Sequence, residues 1–159
     1  MEQRLFLSWA HDDVRLKTSL LRLLKPHLQI LKGLTPVWWE DSNLAVGEKW
    51  RAAIARRLVS CDLGIHLVSP ALLASDFSMT YEVPPFYGPR PIRPGIPVGL
   101  DRVQFNDVDS GGIADRQVFL HRSKFFAELS GVARSDFARE LALSIRSRAT
   151  GCDTWSTHS

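Results

Sequence analysis

Cys61-Asp-Leu-Gly-Ile-His-Leu-Val-Ser69 runs straight into Pro70-Ala-Leu-Leu73, and this stretch decides the fold. Its first part is almost continuously apolar, the pattern of a strand buried on both faces in a parallel sheet. Ser69 and Pro70 then form a helix start: a hydroxyl able to cap the first turn, and a proline whose missing N–H is not needed there. A buried strand leading into a helix is the repeating unit of an open α/β sheet. The run continues past Ser75, Ser78, Thr80 and Tyr81 to Glu82, a carboxylate in a polar stretch. An acid at that point projects toward the carboxyl ends of the strands, where such sheets hold their ligands.

Working outward, Leu5-Phe-Leu7 reads as a first buried strand followed by turn chemistry. Asp12 or Asp13 can cap a helix carrying Leu16, Leu20, Leu23, Leu24 and Leu28 at near-helical spacing. Pro26 is expected to kink that helix or to end its main body near Lys25. Thr35-Pro-Val-Trp-Trp39 reads as a second strand, with Trp38 and Trp39 on opposite faces and at least one of them in the core. Glu40 to Gly47 is a polar loop, after which Trp50, Ile54 and Leu58 recur every four residues on an amphipathic helix.

Beyond Glu82 the pattern thins. Pro84 to Pro97 holds six of the nine prolines, which excludes helix there, and Ile96 to Leu100 reads as a short fourth strand. Asp101 to Asp115 is loop-like, Gln117 to Leu120 is a candidate fifth strand, and Phe137, Leu141 and Ile145 mark a final helix. Residues 1–149 therefore form one α/β domain, an open, mostly parallel sheet covered on both faces. Residues 150–159 read as a frayed tail.

Composition narrows the class. An apolar fraction of 45% and a charged fraction of 23% are those of an ordinary globular domain. No apolar run approaches the roughly 18 residues of a membrane span, and Met1-Glu-Gln-Arg4 has no signal-peptide pattern. Two cysteines, Cys61 and Cys152, are too few for a disulfide framework, so a cytoplasmic setting is expected. The net charge of +3 comes largely from arginines on helix faces, without a basic stripe interleaved with aromatics, which argues against nucleic-acid binding. No Cys/His cluster has metal spacing, and no glycine-rich dinucleotide or Walker loop is present, so neither a metal site nor redox use of NAD is expected.

Three blocks, in order over residues 4–82, resemble the TIR (Toll/interleukin-1 receptor) domain, and specifically the bacterial kind that consumes NAD. Phe6-Leu-Ser-Trp-Ala-His-Asp12 is similar to the family's opening strand and loop, with Trp9 where a tyrosine is usual. Trp39-Glu-Asp-Ser-Asn-Leu-Ala-Val-Gly-Glu-Lys-Trp50 resembles the BB loop and the start of its helix, with Val46-Gly47 in place of Pro-Gly. Asp62 to Glu82 carries the family's Leu-Val-Ser-Pro and its later Ser-Asp-aromatic.

The resemblance implies a flavodoxin-like sheet of about five strands. It also implies that Glu82 is the catalytic residue of NAD+ cleavage and that Trp50 stacks on the nicotinamide side of the substrate. Ser8, Trp9, His11 and Asp12 would border the same pocket, with Asp41 and Ser78 completing the NAD+-binding set. Bacterial relatives of this kind act in antiphage defence or signalling. The resemblance further implies homo-oligomers joined through TIR–TIR contacts that include loop 40–48, and control by a separate sensor or effector protein.

The chemistry suits a lone carboxylate. Ordinary glycoside hydrolysis needs two, because its leaving oxygen must be protonated. Nicotinamide is cationic in NAD+ and departs neutral, so one carboxylate that holds a ribose hydroxyl and stabilises the oxocarbenium-like charge is enough. Each residue also has a plainer reading. Taken without the resemblance, Glu82 is a solvated helix-end acid, Trp50 a core residue above Ile54 and Leu58, and His11 a surface group. His66 reads as a hydrogen-bonded core histidine and Cys61 as a buried thiol. Asp62 begins its strand rather than ending it, which argues against a phosphoryl acceptor. Two other functions stay open: a non-catalytic TIR adaptor, and a nucleoside deoxyribosyltransferase-like enzyme that also uses a glutamate.

Overall fold

The computed structural model describes residues 2–40 and 49–150, without the side chains of 49–54. Asp41 and the Trp50 side chain, two of the expected site residues, lie outside the described residues, as do loop 41–48 and the tail 151–159. Four strands, β1 (Glu2–Ser8), β2 (Thr35–Glu40), β3 (Leu63–Val68) and β4 (Gly95–Gly99), form one all-parallel sheet in the order β2-β1-β3-β4. The helices are α1 (Val14–Gln29), α2 (Lys49–Ser60), α3 (Pro70–Leu73), α4 (Pro84–Tyr87) and α5 (Val132–Ala149). Among the described residues no helix is long and apolar enough to cross a membrane. The strand order reverses between β1 and β3, so the carboxyl ends of these two strands open the crevice in which such sheets bind ligands.

Strand parity divides the core in two. Leu5 and Leu7 of β1, with Leu63, Ile65 and Leu67 of β3, face α1 and α5 and join their buried leucines and Phe137 in the larger cluster. Phe6 points the other way, into a cluster with Leu58 of α2, Val83, and Phe86 and Tyr87 of α4. Trp38 and Trp39 follow the same alternation, each partly buried against a different cluster. On β3 the side facing α4 carries Gly64 and His66. A Cβ on Gly64 would lie 2.4 Å from the Phe86 ring, so the glycine is what lets α4 sit down on the central strand.

Two expectations about proline need correction. α1 passes through Pro26 to Gln29. The proline forfeits one hydrogen bond in the final turn, and the fully buried Leu28 beyond it holds that turn to the core. Pro84 and Pro85 do not exclude helix either: they occupy the first positions of the short α4, where backbone N–H groups have no intrahelical acceptor.

The fifth strand is reduced to a single parallel bridge, Val98↔Phe119. Phe119 N donates to Pro97 O (2.7 Å) and Gly99 N donates to Phe119 O (2.9 Å). The next rung toward the amino end would need an N–H from Pro97, which has none. The ladder stops there, and the Gly95 carbonyl instead accepts from Arg148 Nη2 at 3.3 Å.

Gly64→Ala is expected to destabilise the protein by about 1–3 kcal/mol, the usual cost of forcing volume into a packed core. Phe86→Leu in the same chain should make the double variant less damaged than the two single costs added together, because the leucine vacates the space the new methyl needs. Urea denaturation of the four proteins measures this; strict additivity would show that Gly64 and Phe86 do not meet.

Candidate functional site

Ser8 ends β1 on the same face as Phe6, which directs its hydroxyl to the second face of the sheet, beside the point where the strand order reverses. Ser78–Glu82 forms a π-helical turn, closed by the hydrogen bond from Val83 N to Ser78 O at 2.9 Å. Such wide turns are rare and recur at functional sites. This one brings Ser78 and Glu82 to the same point. Ser8 Oγ donates to Glu82 Oε1 at 2.8 Å, and Ser78 Oγ donates to the same oxygen at 3.1 Å. All three side chains are buried, and Glu82 is 0% exposed, so the reading of a solvated helix-end acid is overturned.

The backbone of Glu82 is held as firmly as its side chain. His66, fully buried in β3, has Nε2 at 2.8 Å from the Glu82 carbonyl and Nδ1 at 2.9 Å from the Tyr87 hydroxyl. A carbonyl only accepts, so Nε2 carries the hydrogen. Burial pushes the imidazole down to about 4 despite that carbonyl, leaving Nδ1 as a neutral acceptor for the Tyr87 O–H. Phe86 and Tyr87 both meet the imidazole edge-on, with ring centroids 4.7 Å away. His66 is thus a hydrogen-bonded core histidine, and Cys61 is a buried thiol pushed up to about 11, chiefly by burial.

A second polar pair joins the same strand ends on their other side. Ser69 Oγ accepts from Leu72 N at 3.1 Å as the cap of α3 and donates to Asp13 Oδ2. Asp13 occupies the position before α1, yet its carboxylate makes no cap bond; it reaches Ser69 instead. Burial raises the Asp13 carboxyl above its ordinary range, the Ser69 bond opposes this, and the charges of Asp101 and Asp12 add to it.

The expected site set therefore separates. Ser8, Ser78 and Glu82 come together. Trp9 is buried in the larger cluster with Leu5 and Leu7, on the opposite face from Glu82, and Lys17 Nζ lies 4.5 Å above its ring while pairing with Glu40 at 3.0 Å. His11 is exposed and meets Trp9 edge-on at 5.3 Å; Asp12 is exposed as well. Asp62, at the amino end of β3, accepts from Arg4 N at 2.8 Å, remote from the crevice. Sequence reasoning missed Tyr87 and the Asp13–Ser69 pair. The clue to the first was a histidine inside an apolar strand, which must find partners. Neither a family model nor any curated protein sequence matches this chain.

Between about pH 6.5 and 4 the unfolded chain protonates His66 while the folded chain does not, so acidification through that window removes stability, up to about 3 kcal/mol in all. Asp13 acts in the opposite sense: its raised carboxyl binds a proton more readily folded than unfolded, so its share grows as pH falls. His66→Gln should be less stable at pH 7, because the Tyr87 hydroxyl and the Glu82 carbonyl lose a shared partner. It should also lose about 2 kcal/mol less than wild type between pH 6.5 and 4.5. Urea melts across that range decide it; parallel curves would mean that His66 does not govern the acid limb.

Proposed function

We propose that this chain is a TIR-type enzyme that cleaves the nicotinamide–ribose bond of NAD+, with Glu82 as its catalytic carboxylate. The observation that carries the reading is the hydroxyl-bonded Glu82 at the β1/β3 crevice. Two O–H donors on one carboxylate oxygen are a chemical stand-in for a ribose diol. In the reaction the ribose hydroxyls take over the hydrogen bonds now donated by Ser8 and Ser78. The carboxylate then faces C1′ as positive charge develops there.

The C1′–N bond breaks with its electron pair going to the ring nitrogen, and nicotinamide leaves neutral. Attack by water, with release of its proton, gives ADP-ribose. Attack by an adenine nitrogen or ribose hydroxyl of the same molecule gives a cyclic ADP-ribose. The resemblance supports a cytoplasmic role in bacterial antiphage defence or signalling, with assembly through TIR–TIR contacts that include loop 40–48 and control by a separate sensor or effector.

The full burial of Glu82 favours a second reading, a non-catalytic TIR adaptor in which the carboxylate only ties β1 to the π-helical turn. Incubating concentrated protein with NAD+ and a crowding agent, and resolving products by liquid chromatography and mass spectrometry, separates the two. Wild type should release nicotinamide, and Glu82→Gln should be slower by at least about a hundredfold, the scale of removing one preorganised electrostatic contact. Ser8→Ala should retain the activity in part. No turnover in assembled wild type leaves the adaptor or an enzyme awaiting its activator, and equal turnover in Glu82→Gln removes Glu82 from the mechanism.

A further inference from the structure

A cavity of about 900 Å³ lies on the β4 side of the sheet, away from Ser8 and Ser78, and its volume is that of a small-molecule site. It exists because Pro97 ends the β4 ladder after one rung. The segment 116–120 then no longer pairs with the amino half of β4, and α5 forms the remaining wall with Glu140, Ser144 and Arg148. Ile96, Phe119 and the neighbouring prolines supply the apolar part of a lining that is about half polar.

The charges around it are one-sided. Arg93, Arg116 and Arg148 line the cavity against a single acid, Glu140, and that carboxylate is engaged by His121 Nδ1 at 2.7 Å. Arg93 is spent on the carbonyls of Cys61, Val59 and Ile92. Arg148 uses one donor on Gly95 O, and the Arg116 guanidinium makes no hydrogen bond or ion pair among the described residues. A guanidinium offers five donors in a planar fork, so most of this donor capacity is uncommitted. Tyr87, which also lines the cavity, feels both Arg116 and Arg148 as charges that oppose the effect of its burial.

We propose that this cavity binds a small aromatic anion, its ring against Ile96 and Phe119 and its carboxylate, sulfonate or phosphate held by Arg116 and Arg148. The site stands independently of any role for Glu82. Two probes with the same rings test it: 8-anilinonaphthalene-1-sulfonate, which carries the charge, and N-phenyl-1-naphthylamine, which does not.

In a fluorescence titration the sulfonate should saturate one site and bind at least about tenfold more tightly than the neutral probe. Arg116→Gln alone, which breaks no contact of the fold, should weaken the sulfonate by about tenfold, the worth of one charge-assisted hydrogen bond. Arg116→Gln with Arg148→Gln should bring it to the level of the neutral probe, and Glu82→Gln should leave it unchanged. Equal affinity for the two probes, sulfonate binding indifferent to Arg116→Gln, or loss of that binding in Glu82→Gln would each overturn the proposal.

Discussion

The second face of this sheet is organised around a constraint that apolar packing does not impose: a carboxylate and an imidazole are both buried there, and each has to be satisfied from within. Glu82 takes hydroxyl hydrogen bonds from β1 and from its own turn, while His66 of β3 holds the Glu82 carbonyl and receives the Tyr87 hydroxyl. These bonds connect two central strands, the π-helical turn and α4. A buried polar group left without its partner costs more than the bond contributes when made, so the arrangement specifies position more strongly than it adds stability.

The two faces divide the labour accordingly. On one, leucines from β1, β3 and α1 interdigitate with the aromatic and aliphatic residues of α5, and that cluster supplies most of the apolar burial. On the other, the apolar cluster is smaller and shares its space with Ser8, His66, Ser78 and Glu82. Gly64 is the geometric hinge between the two demands. Without its bare Cα, Phe86 would stand off the strand, and Tyr87 beside it would not reach His66.

Proline shapes the far side of the sheet in the same indirect manner. Pro97 is tolerated in β4 because β4 pairs fully with β3 and only briefly with the segment beyond it. The cost is one missing rung. The consequence is a cavity in which the Gly95 carbonyl is met by an arginine from α5, which adds positive charge to a lining of mixed polarity. One residue's lack of an N–H thus accounts for a shortened ladder, a cavity and part of its charge.

Periodicity by itself determined the order of the four paired strands and of α1, α2, α3 and α5, the parallel sheet, the buried β3 and the Ser69–Pro70 helix start, because each depends on side chains close in sequence or on a simple alternation. The same holds for the opposite faces of Trp38 and Trp39 and for the core placement of His66. Only the tertiary structure decided that Glu82 is enclosed rather than solvated, since its partners Ser8 and His66 lie 74 and 16 residues away. It also decided that Asp13 serves Ser69 rather than its own helix, that Trp9 turns from the crevice into the core, and that a helix can pass Pro26 or begin at Pro84. These outcomes depend on which groups meet across the fold, and local pattern carries no record of contacts made between distant segments.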